Sequence, residues 1–223
     1  MEVEKDKRYL VHNMSLLKDT FKCFKERGFF DTSLIIYSAL LDSFTDFQKG
    51  IASSGTVSID HKDSRNYRPT RAIPFEKLMR SFDFNKSGNF VDFGCGKGRV
   101  LLLAEDYSFA NLVGIELDSE LCQQSKNNLK DFSNIEINNC NATDYSIKNE
   151  DVFFYFYDPF TGEVLRKVLE NIINSSKLTP RPITIVYHHN FEKAPDDQLK
   201  LGSFEMVAEP EFLGNKFYIY QNN

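Results

Sequence analysis

From Asn89 onward the chain alternates short apolar segments, Phe90–Phe93, Leu112–Ile115, Ile135–Ile137, Val152–Tyr157 and Ile183–Tyr187, with longer helix-like stretches at 98–107, 119–131 and 162–175. Runs this short and apolar, rich in Val, Ile and Phe, read as strands covered on both faces. Parallel neighbours need a crossover connection, and a helix of that length supplies one. The expectation is an α/β domain with a mostly parallel sheet and helices on both faces. The end of the chain departs from the pattern, because Ser203–Ala208 and Lys216–Gln221 read as strands with only Glu209–Asn215 between them. No crossover helix fits in that length. These two therefore form an antiparallel C-terminal hairpin and bring the expected sheet to seven strands.

Upstream, Leu10, Met14, Leu17, Phe21 and Phe24 recur at helical spacing, Gly28 stops that helix, and Leu34, Tyr37, Leu41, Phe44 and Phe47 form the stripe of a second. Two amphipathic helices bury their stripes only against something larger, so residues 1–50 read as a helical extension packed on the main domain or on a second copy as a homodimer. Residues 51–73 read as a loop or lid, and the domain proper as 74–223, with Pro74 near the start of a helix carrying Phe75, Leu78, Met79 and Phe82. The 27 basic and 32 acidic residues leave a formal net charge of −5, which argues against a general phosphate-backbone binder. Cys23, Cys95, Cys122 and Cys140 are too widely spaced for a zinc knuckle or a disulfide framework. No apolar run reaches the roughly 18–20 residues that span a bilayer, so the expectation is a cytoplasmic protein with no resident metal.

The chemistry concentrates in Asp92-Phe93-Gly94-Cys95-Gly96-Lys97-Gly98-Arg99, an apolar strand running through glycines into an apolar helix. Glycine removes the Cβ atoms that would keep a ligand off the backbone, and the amides at the helix start offer donors to an anionic group. Glu116 stands 22 positions beyond Gly94, at the end of the next strand, where a carboxylate can accept from both hydroxyls of a ribose.

These two motifs resemble the first two of the class I S-adenosylmethionine-dependent methyltransferases, and the GxGxG spacing separates them from a nicotinamide-binding turn. The resemblance covers residues 67–221 and implies a Rossmann-like fold with S-adenosylmethionine as cofactor. It assigns to the cofactor Asp92, Gly94, Cys95, Gly96 and Arg99 of the first motif, and Glu116 with Leu117 at the ribose. Asn141 and Ala142, after the third strand, fall where the family contacts adenine, although the family commonly has an acid where this chain has Asn141. Tyr67 and Thr70 belong to a Tyr-x-Pro segment that folds over the cofactor in similar enzymes.

Asp158-Pro159-Phe160 at the end of the fourth strand is similar to the (D/N)PP(Y/F) motif of amino-methylating members, but carries a single proline. Asp158, on both the cofactor and the catalytic side, is expected to orient an attacking amine, and Phe160 to contact a flat or cationic group. His188 or His189, adjacent at the end of the fifth strand and pointing to opposite faces, could take a proton from the acceptor, with His188 put first. The resulting expectation is methyl transfer to nitrogen, ahead of oxygen, on a protein or small-molecule acceptor, with nucleic acid disfavoured by the single proline and the net charge. A non-catalytic cofactor-binding module of the same fold is the alternative, and a nicotinamide dehydrogenase the third reading.

Overall fold

The computed structural model describes residues 28, 33, 36, 37, 40–44, 69–160, 162–189 and 204–222, with His189 described by its backbone alone. The first expected helix, Leu34, Phe47, the loop through Tyr67 and the side chain of His189 lie outside the described residues. The elements run α1 (Ala72–Ser81), β1 (Asn89–Phe93), α2 (Arg99–Ala104), β2 (Leu112–Glu116), α3 (Ser119–Asn128), β3 (Ile135–Asn139), β4 (Asp151–Tyr157), α4 (Gly162–Leu178), β5 (Thr184–His189), β6 (Phe204–Ala208), β7 (Glu211–Phe212) and β8 (Asn215–Asn222). The helix α1 starts earlier than the sequence suggests, with Pro74 third in it. A missing N–H costs nothing there, since the first four amides have no partner within the helix.

The sheet order is β3-β2-β1-β4-β5-β8-β6, with β7 also paired to β8, so the described sheet has eight strands where seven are expected. Strands β3, β2, β1, β4 and β5 pair in parallel, while β8 runs antiparallel between β5 and β6. The additional strand is the two-residue β7, folded back on β8 through Leu213 and Gly214. Both turn residues have positive φ, 53° and 73°, the combination that matches the twist of a tight two-residue hairpin.

Helices cover both faces. One apolar layer joins Phe93, Phe154, Phe156, Ile185 and Tyr218 of the sheet to Leu165, Val168, Leu169 and Ile172 of α4. The other joins Phe90, Phe153, Tyr155, Val186 and Phe217 to Phe75, Leu78 and Met79 of α1 and to Leu101–Ala104 of α2. Strand alternation puts Phe90 and Asp92 on this second side, and Val91 and Phe93 on the first.

Register turns the many aromatic residues into rows across the sheet. Phe93, Phe156 and Tyr187 stack at 5.1 and 6.1 Å on one face. On the other face Tyr157, His188 and Phe217 stack at 4.1 and 4.3 Å. Both rows lie at the carboxyl ends of the parallel strands, the edge where open α/β sheets bind ligands.

Residues 40–44 are helical, and of the described stripe residues Leu41 is half-buried while two face outward. Tyr37 and Phe44 are 56% and 54% exposed, and Ile36 and Leu40 also face outward. The inward side carries Asp42, whose carboxylate meets the Arg99 guanidinium at 2.9 Å. A buried guanidinium must keep its counter-charge, and Asp42 supplies it.

Candidate active site

The glycine turn is built for close approach. Gly94, Gly96 and Gly98 all have positive φ. A Cβ on Gly94 would lie 2.5 Å from Cβ of Pro159, so the glycine turn and the Asp158-Pro159-Phe160 turn touch. The amides of Gly94 and Cys95 both donate to the carbonyl of Ile115, at 2.8 and 3.1 Å, which ties the turn to the end of β2.

Glu116 completes the crevice. One carboxylate oxygen accepts from the amide of Gly96 at 2.8 Å and the other from the amide of Asp118 at 2.9 Å. Burial raises the pKa of Glu116, and these amides oppose the rise. The neighbouring acids divide the work, because Asp118 caps α3 by accepting from the amides of Glu120 and Leu121. Asn139, which the sequence reading missed, donates to the carbonyls of Glu116 and Leu117 and braces this turn. Leu117 beside it is 38% exposed, an apolar surface at the rim.

Asp92 is 2% exposed, and its Oδ2 has no hydrogen-bond partner. Burial, with the Glu116 carboxylate adding to it, pushes the Asp92 carboxyl well above the ordinary range. The Cys95 thiol is raised in the same way, by burial and then by Asp92 and Glu116. Orphaned buried polar atoms are rare and fit a ligand that brings its own donors or positive charge.

On the opposite wall, Asp158 adopts φ +44°, an uncommon conformation for a residue with a side chain. Its Oδ1 accepts from the hydroxyl of Tyr187 at 3.0 Å. Tyr187 was not legible as a site residue, because its role follows from the aromatic row that carries it to Asp158.

Four of the expected side chains are engaged within the fold. His188 is 0% exposed and sandwiched between two rings. The Asn215 amide donates to the carbonyls of Phe212 and Leu213, which leaves its Oδ1 to accept from Nε2–H of His188 at 3.1 Å. Nδ1 of His188 then accepts from the hydroxyl of Tyr155 at 2.9 Å, and the imidazole ties the C-terminal hairpin to β4. Phe160 is 7% exposed with its ring edge-on to Phe93 and Phe156, because an aromatic ring gains more from the core than from the rim. Arg99 turns its guanidinium to Thr70 and Asp42. Asn141 uses its side-chain oxygen in its own turn, accepting from the amide and hydroxyl of Thr143. Ala142 follows it, buried at the end of the β3 connection.

Residues 91–157 match the family model described as "Methyltransferase domain", a span running from β1 to the end of β4. Over this span, and in its sheet order, the α/β unit is similar to methyltransferase domains of the class I, Rossmann-like type, the class that uses S-adenosylmethionine. Two curated proteins, each named "rRNA adenine N-6-methyltransferase", are similar. The one from Lysinibacillus sphaericus is 28% identical over 52% of this chain and 44% of its own length. The one from Limosilactobacillus reuteri is 26% identical over 48% of this chain and 45% of its own. The chain thus spans less than half the length of these relatives. Among solved structures, an RNA methyltransferase from Salinibacter ruber in complex with S-adenosyl-L-homocysteine superposes with a TM-score of 0.54 at 18% identity, covering 70% of this chain and 94% of that one.

These names overturn the expectation that disfavoured nucleic acid and turned to a protein or small-molecule acceptor. Net charge averages over the whole surface, whereas recognition of nucleic acid depends on the local field. Among the described residues no helix is long and apolar enough to cross a membrane.

Proposed function

We propose that this chain is an S-adenosylmethionine-dependent methyltransferase acting on a base nitrogen of RNA, with the exocyclic nitrogen of adenine as the first candidate. The observation that carries the cofactor half is the Asp92–Gly94–Glu116 crevice, where a glycine turn, a strand-end carboxylate and an unpartnered buried carboxylate oxygen converge. Glu116 offers two oxygens to the ribose hydroxyls, Gly94 and Gly96 admit the nucleoside to the backbone, and Leu117 and Ala142 flank the adenine. Bound S-adenosylmethionine supplies a methyl group that its sulfonium already activates. The protein's own task is alignment and exclusion of water, and no side chain needs unusual basicity.

The acceptor half is supported by the names of the two curated relatives and by the geometry of Asp158. Held by Tyr187 and by its backbone conformation, Asp158 directly precedes the Pro159 that touches Gly94, and its carboxylate is the group to accept a hydrogen bond from an amine and direct the nitrogen lone pair at the methyl. The loop 61–71 carries Lys62, Arg65, Arg68 and Arg71 against Asp63 and supplies local positive charge for RNA in a chain of net charge −5. The reading carries with it a cytoplasmic location.

The test incubates the protein with methyl-tritiated S-adenosylmethionine and separate RNA, protein and small-molecule fractions of a bacterial extract, followed by nucleoside chromatography of the RNA. Label in N-methyladenosine is expected. Label confined to protein or small molecules overturns the RNA acceptor. Cofactor binding without transfer to any fraction replaces the enzyme with a binding module of the same fold.

A further inference from the structure

We propose that Asp42, upstream of the matched domain, is a positioning residue for the cofactor crevice, so that the N-terminal extension is part of the binding site; the inference rests on the cofactor half of the reading above. Its Oδ1 accepts from the amide of Ala72 at 2.8 Å and from Nη2 of Arg99 at 2.9 Å. Nε of Arg99 in turn donates to the carbonyl of Thr70 at 2.7 Å. One carboxylate therefore staples three segments together: the helical residues 40–44, the segment entering α1, and the first residue after the glycine turn.

The staple is nearly dry, with side-chain exposures of 4% for Arg99 and 18% for Asp42. Burial raises the Asp42 pKa, and Arg99 opposes the rise. Arg99 directly follows Gly98, whose left-handed conformation starts α2, so anchoring the guanidinium fixes the exit of the glycine turn. The same contacts hold Thr70 through its carbonyl. Removing the carboxylate leaves a buried guanidinium without its counter-charge and releases both sides of the crevice. Linkage then works in both directions: if the staple favours cofactor binding, cofactor binding protects the staple by the same factor.

Calorimetry with S-adenosyl-L-homocysteine on the full chain, its Asp42→Ala variant and its Asp42→Asn variant tests this. The expected result is at least a tenfold weaker affinity for Asp42→Ala, with partial recovery in Asp42→Asn, whose amide oxygen still accepts from Ala72. A merely structural contact lowers the melting temperature but leaves the affinity of the folded protein unchanged, so an Asp42→Ala affinity within twofold of the parent overturns the proposal. Absence of binding by the parent chain sinks the functional reading instead. Hydrogen exchange on the parent covers the case in which Asp42→Ala does not fold. Slower exchange in 40–44 on addition of S-adenosyl-L-homocysteine is expected, and unchanged exchange there overturns the staple.

Discussion

Burial, and then the nearby Glu116 carboxylate, raises the pKa of Asp92, so the charged form is the one the fold disfavours. Its native pKa lies above the ordinary 3.8, so the native state binds the proton more tightly than the unfolded chain does. The stability it contributes is complete below the ordinary value and is lost as pH rises through the raised one. Asp92→Asn keeps the shape and removes the charge. The cofactor-free variant is expected to melt higher than the parent at pH 8, with the gap closing toward pH 4, while S-adenosyl-L-homocysteine binds it more weakly. A melting temperature at pH 8 no higher than the parent's contradicts this account. For Glu116→Ala, losing hydrogen bonds to a charged group costs about 1.5–3 kcal/mol, a ten- to hundredfold weaker cofactor affinity by calorimetry. At this scale the sequence placed Glu116 at a strand end beside the glycine turn but gave no sign of the stacked, hydrogen-bonded surroundings of His188. A carboxylate at a strand end has few other uses, whereas a histidine there serves equally as a hydrogen-bonded rung, and only its neighbours Tyr157, Phe217, Tyr155 and Asn215 distinguish the two.

The elements meet at two turns. Gly94→Ala places a Cβ against Pro159 at a residue with φ +77°, so it combines a clash with a left-handed backbone penalty of about 1–2 kcal/mol. The expected result is a lower melting temperature and loss of S-adenosyl-L-homocysteine binding in the same titration. The C-terminal hairpin answers to a different residue. Asn215→Ala strips the partner from Nε2–H of buried His188 and from two turn carbonyls, a cost of about 1–3 kcal/mol. Thermal unfolding is expected to shift down by about 2–4 °C for each kcal/mol, with cofactor affinity within twofold of the parent. The antiparallel closure was legible because seven residues cannot hold a crossover. The two-residue β7 was not, since a strand that short has no periodicity of its own and exists only through its pairing with β8.

For the whole molecule, an RNA acceptor as proposed above has to be reconciled with the net charge. A net charge of −5 limits nonspecific attraction to RNA, and on that reading the basic residues of 61–71 are the expected source of attraction. Lys62→Ala with Arg65→Ala is expected to weaken binding of single-stranded RNA and to flatten the slope of log affinity against log salt by about 1.4, at roughly 0.7 per phosphate contact. Filter binding across a salt series reads this slope, and an unchanged slope removes the loop from the RNA surface.

Periodicity and spacing alone determined the parallel α/β sheet, its antiparallel end, the glycine turn and the carboxylate at the end of the second strand, because each follows from constraints between residues near in sequence: strand length, crossover length, and where a Cβ is absent. The tertiary structure decided what depends on partners distant in the chain. Arg99 is taken up by Asp42, His188 lies between two rings, Phe160 enters the core, Asp158 is held by Tyr187, and the 40–44 helix turns its charged side inward. In each case a buried polar or aromatic group takes the neighbour that best satisfies it, and the fold, rather than the local sequence, determines which neighbours are within reach.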